Sequence, residues 1–201
     1  MRLSKDYFLL PSFLMKVRLI LFFLFFCSVL GYAQQKSSAQ QFWETLAQHC
    51  GKAYQGEVTQ GLTDDFKNGP LIMHIKKCED GLIKIPFFVG EDRSRTWVLK
   101  LNNSRISLKH DHRHKDGAAD KITQYGGITN NTGSANMQVF PADQETVSLL
   151  PQAAGNVWWI TIDKDFFTYN LRRIGTDRVF TVKFDLSKSV AEPASPWGWK
   201  N

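Results

Sequence analysis

The sequence predicts a mainly β protein: an antiparallel meander closing into a single β-barrel, entered through one short N-terminal helix. Three observations predict it. Apolar residues recur with a period of two in ten runs from Tyr54 onward. Turn chemistry separates most of them, as Asp80-Gly81, Asn102-Asn103, Asp116-Gly117, Gly126-Gly127 and Gly175-Thr176. Short links make sequential strands antiparallel neighbours, and closing such a meander removes the unpaired backbone of its edges. A β-sandwich is the alternative fold.

The chain opens on a different pattern. Met15-Lys16-Val17-Arg18 is a basic head, residues 19–30 are an apolar run rich in Leu and Phe, and Gly31-Tyr32-Ala33 sets small residues before Gln34. That order is the layout of a secretory signal peptide spanning 1–33, with Met15 an alternative start. A membrane span needs about 20 apolar residues, and this run supplies twelve. Cys27 follows Phe25-Phe26 instead of a small residue, which argues against a lipid anchor. The expected location is secreted or periplasmic, with no stable membrane anchor after cleavage.

Removal of residues 1–33 takes away four bases and one acid, so a net charge of +6 falls to +3 on 168 residues. That length suits one domain with one core. The remaining bases are interspersed with acids, which argues against nucleic acid as a partner. Cys50 and Cys78 are then the only cysteines. An even pair in an exported chain reads as one disulfide; two free buried thiols are the other possibility.

Residues 34–38 read as a loose linker and 39–191 as the barrel domain. Ser38 and Gln41 match a capping box, Phe42, Trp43, Leu46, Ala47 and Cys50 follow at helical spacing, and Gly51 stands at a C-terminal cap. The helix is expected at about 39–50. Strands are expected at 54–59, 71–78, 82–89, 95–101, 105–112, 121–125, 136–140, 157–163, 166–173 and 177–185. The segment 192–201, with two prolines and two tryptophans, is a tail that is either loose or packed back.

Chemistry concentrates in one strand. Ile106 and Leu108 share a face, and His110, His112 and, beyond them, His114 continue it, so the first two should point into the barrel near its mouth. Two imidazoles at i and i+2 can start a metal site, with His114 as a third ligand for a divalent metal. Lys109, Arg113 and Lys115 oppose a cation there, and a solvated hairpin end at Asp116-Gly117 is the plain alternative. Asp111, Asp116 and Asp120 lack calcium-loop spacing. The sequence has no Gly-x-Ser-x-Gly elbow, His-Glu-x-x-His helix or Walker glycine loop. Asp92-Arg93-Ser94-Arg95 could hold an anion, but paired Arg and Asp at a strand entry more often make a structural ion pair, which is the expectation here. Arg173 continues the face of Phe167, Tyr169 and Leu171, and an inward charge needs a partner.

One helix leading into a long meander resembles the calycins, the lipocalins and fatty-acid-binding proteins. Leu46 through Gly51-Lys52-Ala53-Tyr54-Gln55-Gly56 is similar to the aromatic-plus-glycine entry of their first strand. The resemblance implies a ligand-holding barrel in which Arg173 meets a ligand carboxylate; closing the barrel end against Trp43 is the other role open to it. Ser94-Arg95-Thr96-Trp97-Val98-Leu99, the run 108–117 and Tyr125-Gly126-Gly127 also resemble a family of uncharacterised secreted bacterial proteins. That likeness implies export and carries no activity.

The leading functional expectation is a secreted or periplasmic barrel binding a small, largely apolar ligand with a polar or anionic head. Its interior would be lined by Ile83, Ile85, Phe87, Trp97, Leu99, Ile106, Leu108, Trp158, Ile160, Tyr169, Phe180 and Val182, with His110, His112, Tyr169 and Arg173 as ligand-binding groups. The alternatives are a metal-dependent enzyme using His110, His112 and His114, and a non-catalytic interaction protein whose Trp197-Gly198-Trp199 tail docks a partner. No catalytic residue and no cofactor are assigned.

Overall fold

The computed structural model describes residues 35–199, together with Lys16 and Arg18. Apart from those two, the segment read as a signal peptide lies outside the described residues. Among the described residues no helix is long and apolar enough to cross a membrane.

Helix α1 (Ser38–Ala47) begins one residue earlier than expected, because Ser37 and not Ser38 is its cap: the Ser37 hydroxyl accepts from the Gln40 N–H at 3.2 Å. It buries Ala39, Phe42, Trp43 and Leu46. The strands follow as β1 (Ala53–Gln60), β2 (Leu71–His74), β3 (Lys77–Glu79), β4 (Leu82–Val89), β5 (Asp92–Asn102), β6 (Arg105–His112), β7 (Tyr125–Ile128) and β8 (Met137–Pro141). A short helix α2 (Gln144–Leu149) intervenes before β9 (Asn156–Ile162), β10 (Phe166–Arg173) and β11 (Val179–Val190).

All pairings between these strands are antiparallel, and the order β7-β6-β5-β4-β2-β1-β11-β10-β9-β8 runs once around a nearly closed barrel, with β3 beside β4. The two ends meet through a bridge between Gly127 and Ala142. Helix α1 touches β5, β8 and β9, strands from different sides of the ring, so it lies across one open end, where it enters β1. Burying Phe42, Trp43 and Leu46 there is worth roughly 1.5–3 kcal/mol per side chain. The opposite end is left as the mouth.

Four expectations are corrected. The strand expected at 71–78 breaks at Ile75, whose N–H and C=O leave the sheet to bond Lys52 and Gly51 at 3.0 and 2.7 Å. The strand expected at 121–125 lies instead at β7, beyond a turn in which the Ile122 N–H bonds the Asp120 carboxylate at 2.9 Å. Gly126-Gly127 is therefore strand and not turn. Helix α2 was not foreseen; Asp143 caps it by accepting from the Thr146 N–H at 2.9 Å. The last strand runs five residues past the expected Asp185, to Val190.

The seam between β7 and β8 is finished by side chains. The buried Thr146 hydroxyl accepts from the Gly126 N–H at 2.6 Å and donates to the Gly126 carbonyl at 2.8 Å, replacing both bonds of a missing strand neighbour. Lys109 on the outer face of β6 reaches Asp143 and Glu145, both at 2.7 Å, and fastens α2 across the joint. The tail packs back: the Trp197 N–H bonds the Arg93 carbonyl at 3.1 Å, and Lys84 lies 5.5 Å from the Trp199 ring centre.

Cys50 and Cys78 are disulfide-bonded, with Cα atoms 6.2 Å apart and a separation of 28 positions in sequence. The bridge joins the turn after α1 to β3, a strand outside the main ring. Replacing both by Ala should cost ~3–4 kcal/mol of unfolding free energy on the loop-entropy account. Urea unfolding of the double variant measures it, and an unchanged midpoint would mean the bridge constrains nothing.

Candidate functional site

The barrel interior divides into two halves. Toward α1, Ile83, Ile85, Leu99, Ile106, Leu108, Ile160 and Val182 are completely buried and pack into a solid core. They do not line a cavity, which corrects that part of the expected lining. Toward the mouth lies a cavity of about 640 Å³, and nine of its lining residues carry rings: Phe66, Phe87, Trp97, His110, His112, Tyr125, Trp158, Tyr169 and Phe180.

Its floor is a stack. Trp97 from β5 lies on Tyr169 from β10 at 4.4 Å between centres and 15° between planes, and on Phe87 from β4 at 4.9 Å and 14°. Alternation along each strand brings these rings inward, and strands from different sides of the barrel let them meet in its centre. Their contact separates the open half from the packed one.

His110 sits in this floor, buried and fully bonded. Its Nδ1 faces the Tyr125 carbonyl at 2.9 Å and its Nε2 the Tyr169 hydroxyl at 2.6 Å. A carbonyl can only accept, so Nδ1 carries the proton and Nε2 accepts the Tyr169 O–H. The ring also stacks on Tyr125 at 4.6 Å and 11°. Burial drives its pKa down to about 3, against the opposing effect of the Tyr125 carbonyl, so the imidazole is neutral at physiological pH.

His112, half-buried one step nearer the mouth, has Nε2 3.1 Å from the Tyr125 hydroxyl. Burial lowers its pKa, and the neighbouring Arg95 charge adds to that effect. The phenols are held neutral as well: burial raises Tyr125 to about 12 and Tyr169 well above its ordinary value.

His114 does not join them. Its backbone turns to Ala118 at 2.8 Å and its side chain is exposed. Both nitrogens of His110 are occupied, and among the described residues no three His, Cys, Asp or Glu side chains gather as a metal-binding group. The arrangement thus gives the three-histidine metal centre no geometric support.

Charge enters at the rim through Arg95, Arg173 and Arg178, with Asp65 beside them. Arg95 is paired with Asp92, the ion pair expected at that strand entry. Arg173 donates from Nε to the Asn156 side-chain oxygen at 2.8 Å, a neutral partner that leaves its charge uncompensated by that bond. Arg173 lines the cavity through this arrangement, and the alternative of stacking on Trp43 is not the one adopted. Arg178 is exposed, and its charge reaches the phenols of Tyr125 and Tyr169.

Sequence reasoning placed His110, His112, Tyr169 and Arg173 at the site, and all four line this cavity. It missed Tyr125, Asn156 and Arg178. The signal for two of them was present: Arg178 shares the inward parity of Phe180 and Val182, and Asn156 that of Trp158 and Ile160. Tyr125 was hidden by the misplaced strand expected at 121–125, and the register of β7 opposite His110 is a tertiary fact. No family model, curated protein or solved structure matches this chain.

Proposed function

We propose that the protein is a secreted or periplasmic β-barrel that binds a small, largely apolar ligand through an anionic or polar head in the mouth cavity. The cavity carries the reading. About 640 Å³ falls within the roughly 300–1,000 Å³ range of small-molecule sites, and its wall has the usual makeup of such sites, rings with a few convergent polar groups. Near neutral pH the imidazoles and phenols bear no charge, so the rim arginines supply the positive field and favour an anionic head.

The antiparallel ring with a helix at the entry to its first strand is compatible with the calycin likeness. Export is supported by the basic head, apolar run and small residues before Gln34, and by the disulfide, a bond that oxidising compartments maintain.

Native mass spectrometry of protein purified from the exporting cell should show a non-covalent adduct, on a chain that N-terminal sequencing starts at or near Gln34. Replacing Arg173 and Arg178 together by Gln should weaken that adduct ten- to a hundredfold, corresponding to loss of roughly 1.5–3 kcal/mol of charge-assisted bonding. Protein that carries no adduct and takes up no small organic anion would overturn the reading.

A further inference from the structure

We infer that the ligand is a planar, conjugated anion, laid against the ring wall with its charged group at Arg173 and Arg178. This rests on the binding reading above and specifies its ligand class.

The first support is the make-up of the cavity wall. Nine of its lining residues carry rings, whereas the larger aliphatic groups among them are four, Ile122, Leu150, Leu171 and Val179. A site for a flexible alkyl chain needs only apolar area, which aliphatic walls provide equally well. Rings add a quadrupole that favours offset stacking with another flat π-system.

The second support is orientation. The planes of Phe87, Trp97 and Tyr169 follow one another within 15° per step, and His110 lies within 11° of Tyr125. Rings already locked by their neighbours cannot fold into the space beside them, so the cavity stays open and its faces stay aligned. Phe66 continues this order at the rim, stacked on Phe180 at 4.5 Å and 30°.

The third is the separation of polar from apolar parts. The arginines sit where β10 ends and β11 begins, at the mouth, whereas the floor offers only neutral donors and acceptors. A ligand with a flat body and one terminal anionic group matches that division. Asp65 on the same rim opposes more than a modest negative charge.

The test compares 2-naphthoate with undecanoate, two carboxylates of equal carbon count, one flat and one flexible, by calorimetry on the mature disulfide-bonded protein. Naphthoate should bind at least about tenfold more tightly, the yield of one to two aromatic contacts. Trp97→Leu should erase that preference by weakening naphthoate more than undecanoate; Phe66→Leu, at the half-buried rim, should reduce it severalfold and covers the case in which the Trp97 variant does not fold. Arg173→Gln with Arg178→Gln should weaken both ligands. Equal or tighter binding of undecanoate would overturn the planar-ligand inference and leave the binding function standing. Binding of neither carboxylate at millimolar concentration would overturn both, and a naphthoate preference indifferent to the ring and arginine variants would place it elsewhere and overturn the inference.

Discussion

Gly127→Ala should open the barrel at its seam and lower stability by at least about 3 kcal/mol, beyond the usual cost of an overpacked methyl group. A Cβ at Gly127 would lie 1.9 Å from the Pro141 carbonyl oxygen, where the ends of the sheet meet at the Gly127–Ala142 bridge. Backbone on both sides of this clash is held: Gly126 by both bonds to Thr146, and Ala142 by its N–H to the Asn156 carbonyl at 2.9 Å. Neither strand can retreat without giving up those bonds. Urea unfolding measures the loss, and hydrogen exchange should show early opening confined to β7, β8 and α2. A variant with wild-type midpoint and protection would show that the seam does not hold the barrel shut.

His110→Phe should lose about 2–4 kcal/mol above neutral pH and progressively less in acid. Phenylalanine keeps a ring against Tyr125 but leaves the Tyr125 carbonyl and the Tyr169 hydroxyl without the partner His110 gave them. Each buried polar group stripped in this way costs about 1–3 kcal/mol. The pH dependence has a definite sign. An unfolded histidine titrates near 6.5 and the folded one at about 3, so below 6.5 the unfolded chain binds a proton that the folded chain refuses. Wild-type stability falls through this window by up to ~1.4 kcal/mol per pH unit on account of this residue, and none of that loss occurs above it.

The variant lacks this term, so its deficit should shrink steadily from about pH 7.5 to about pH 4 and approach zero there. His49, His74 and His112 are also lowered by burial and steepen the acid limb of both proteins alike, which makes the difference between the two the informative quantity. Paired urea midpoints across that range decide it. A deficit constant with pH would mean that His110 does not remain neutral in the folded chain.

Parity was the most legible property of the chain. Ile106, Leu108, His110 and His112 could be assigned to one face from their spacing, and β4, β6 and β10 begin and end where the pattern of two begins and ends. The even cysteine pair and the Ser/Phe/Trp/Leu spacing of α1 were equally readable, because each depends on neighbours in sequence or on a simple count. Gly126-Gly127 was misread for a related reason. Paired glycines mark a turn when local conformation is the only consideration, whereas here they permit two backbones to approach, with a Cβ at Gly126 only 1.9 Å from the Leu108 carbonyl.

The sequence by itself determined an antiparallel barrel, its entry helix, the disulfide and the inward facing of His110, His112, Tyr169 and Arg173, since alternation and composition are local quantities. Tertiary structure alone decided that the interior is half packed core and half cavity. An inward Ile83 and an inward Trp97 obey the same alternation, yet one is sealed in the packed half and the other lines the cavity. The difference arises from which rings meet across the barrel: Trp97 and Tyr169 are 72 residues apart in sequence and reach each other only after the meander has closed. The same closure sets Tyr125 against His110 and turns His114 out, giving one neutral, fully bonded imidazole in the cavity floor in place of three convergent ligands.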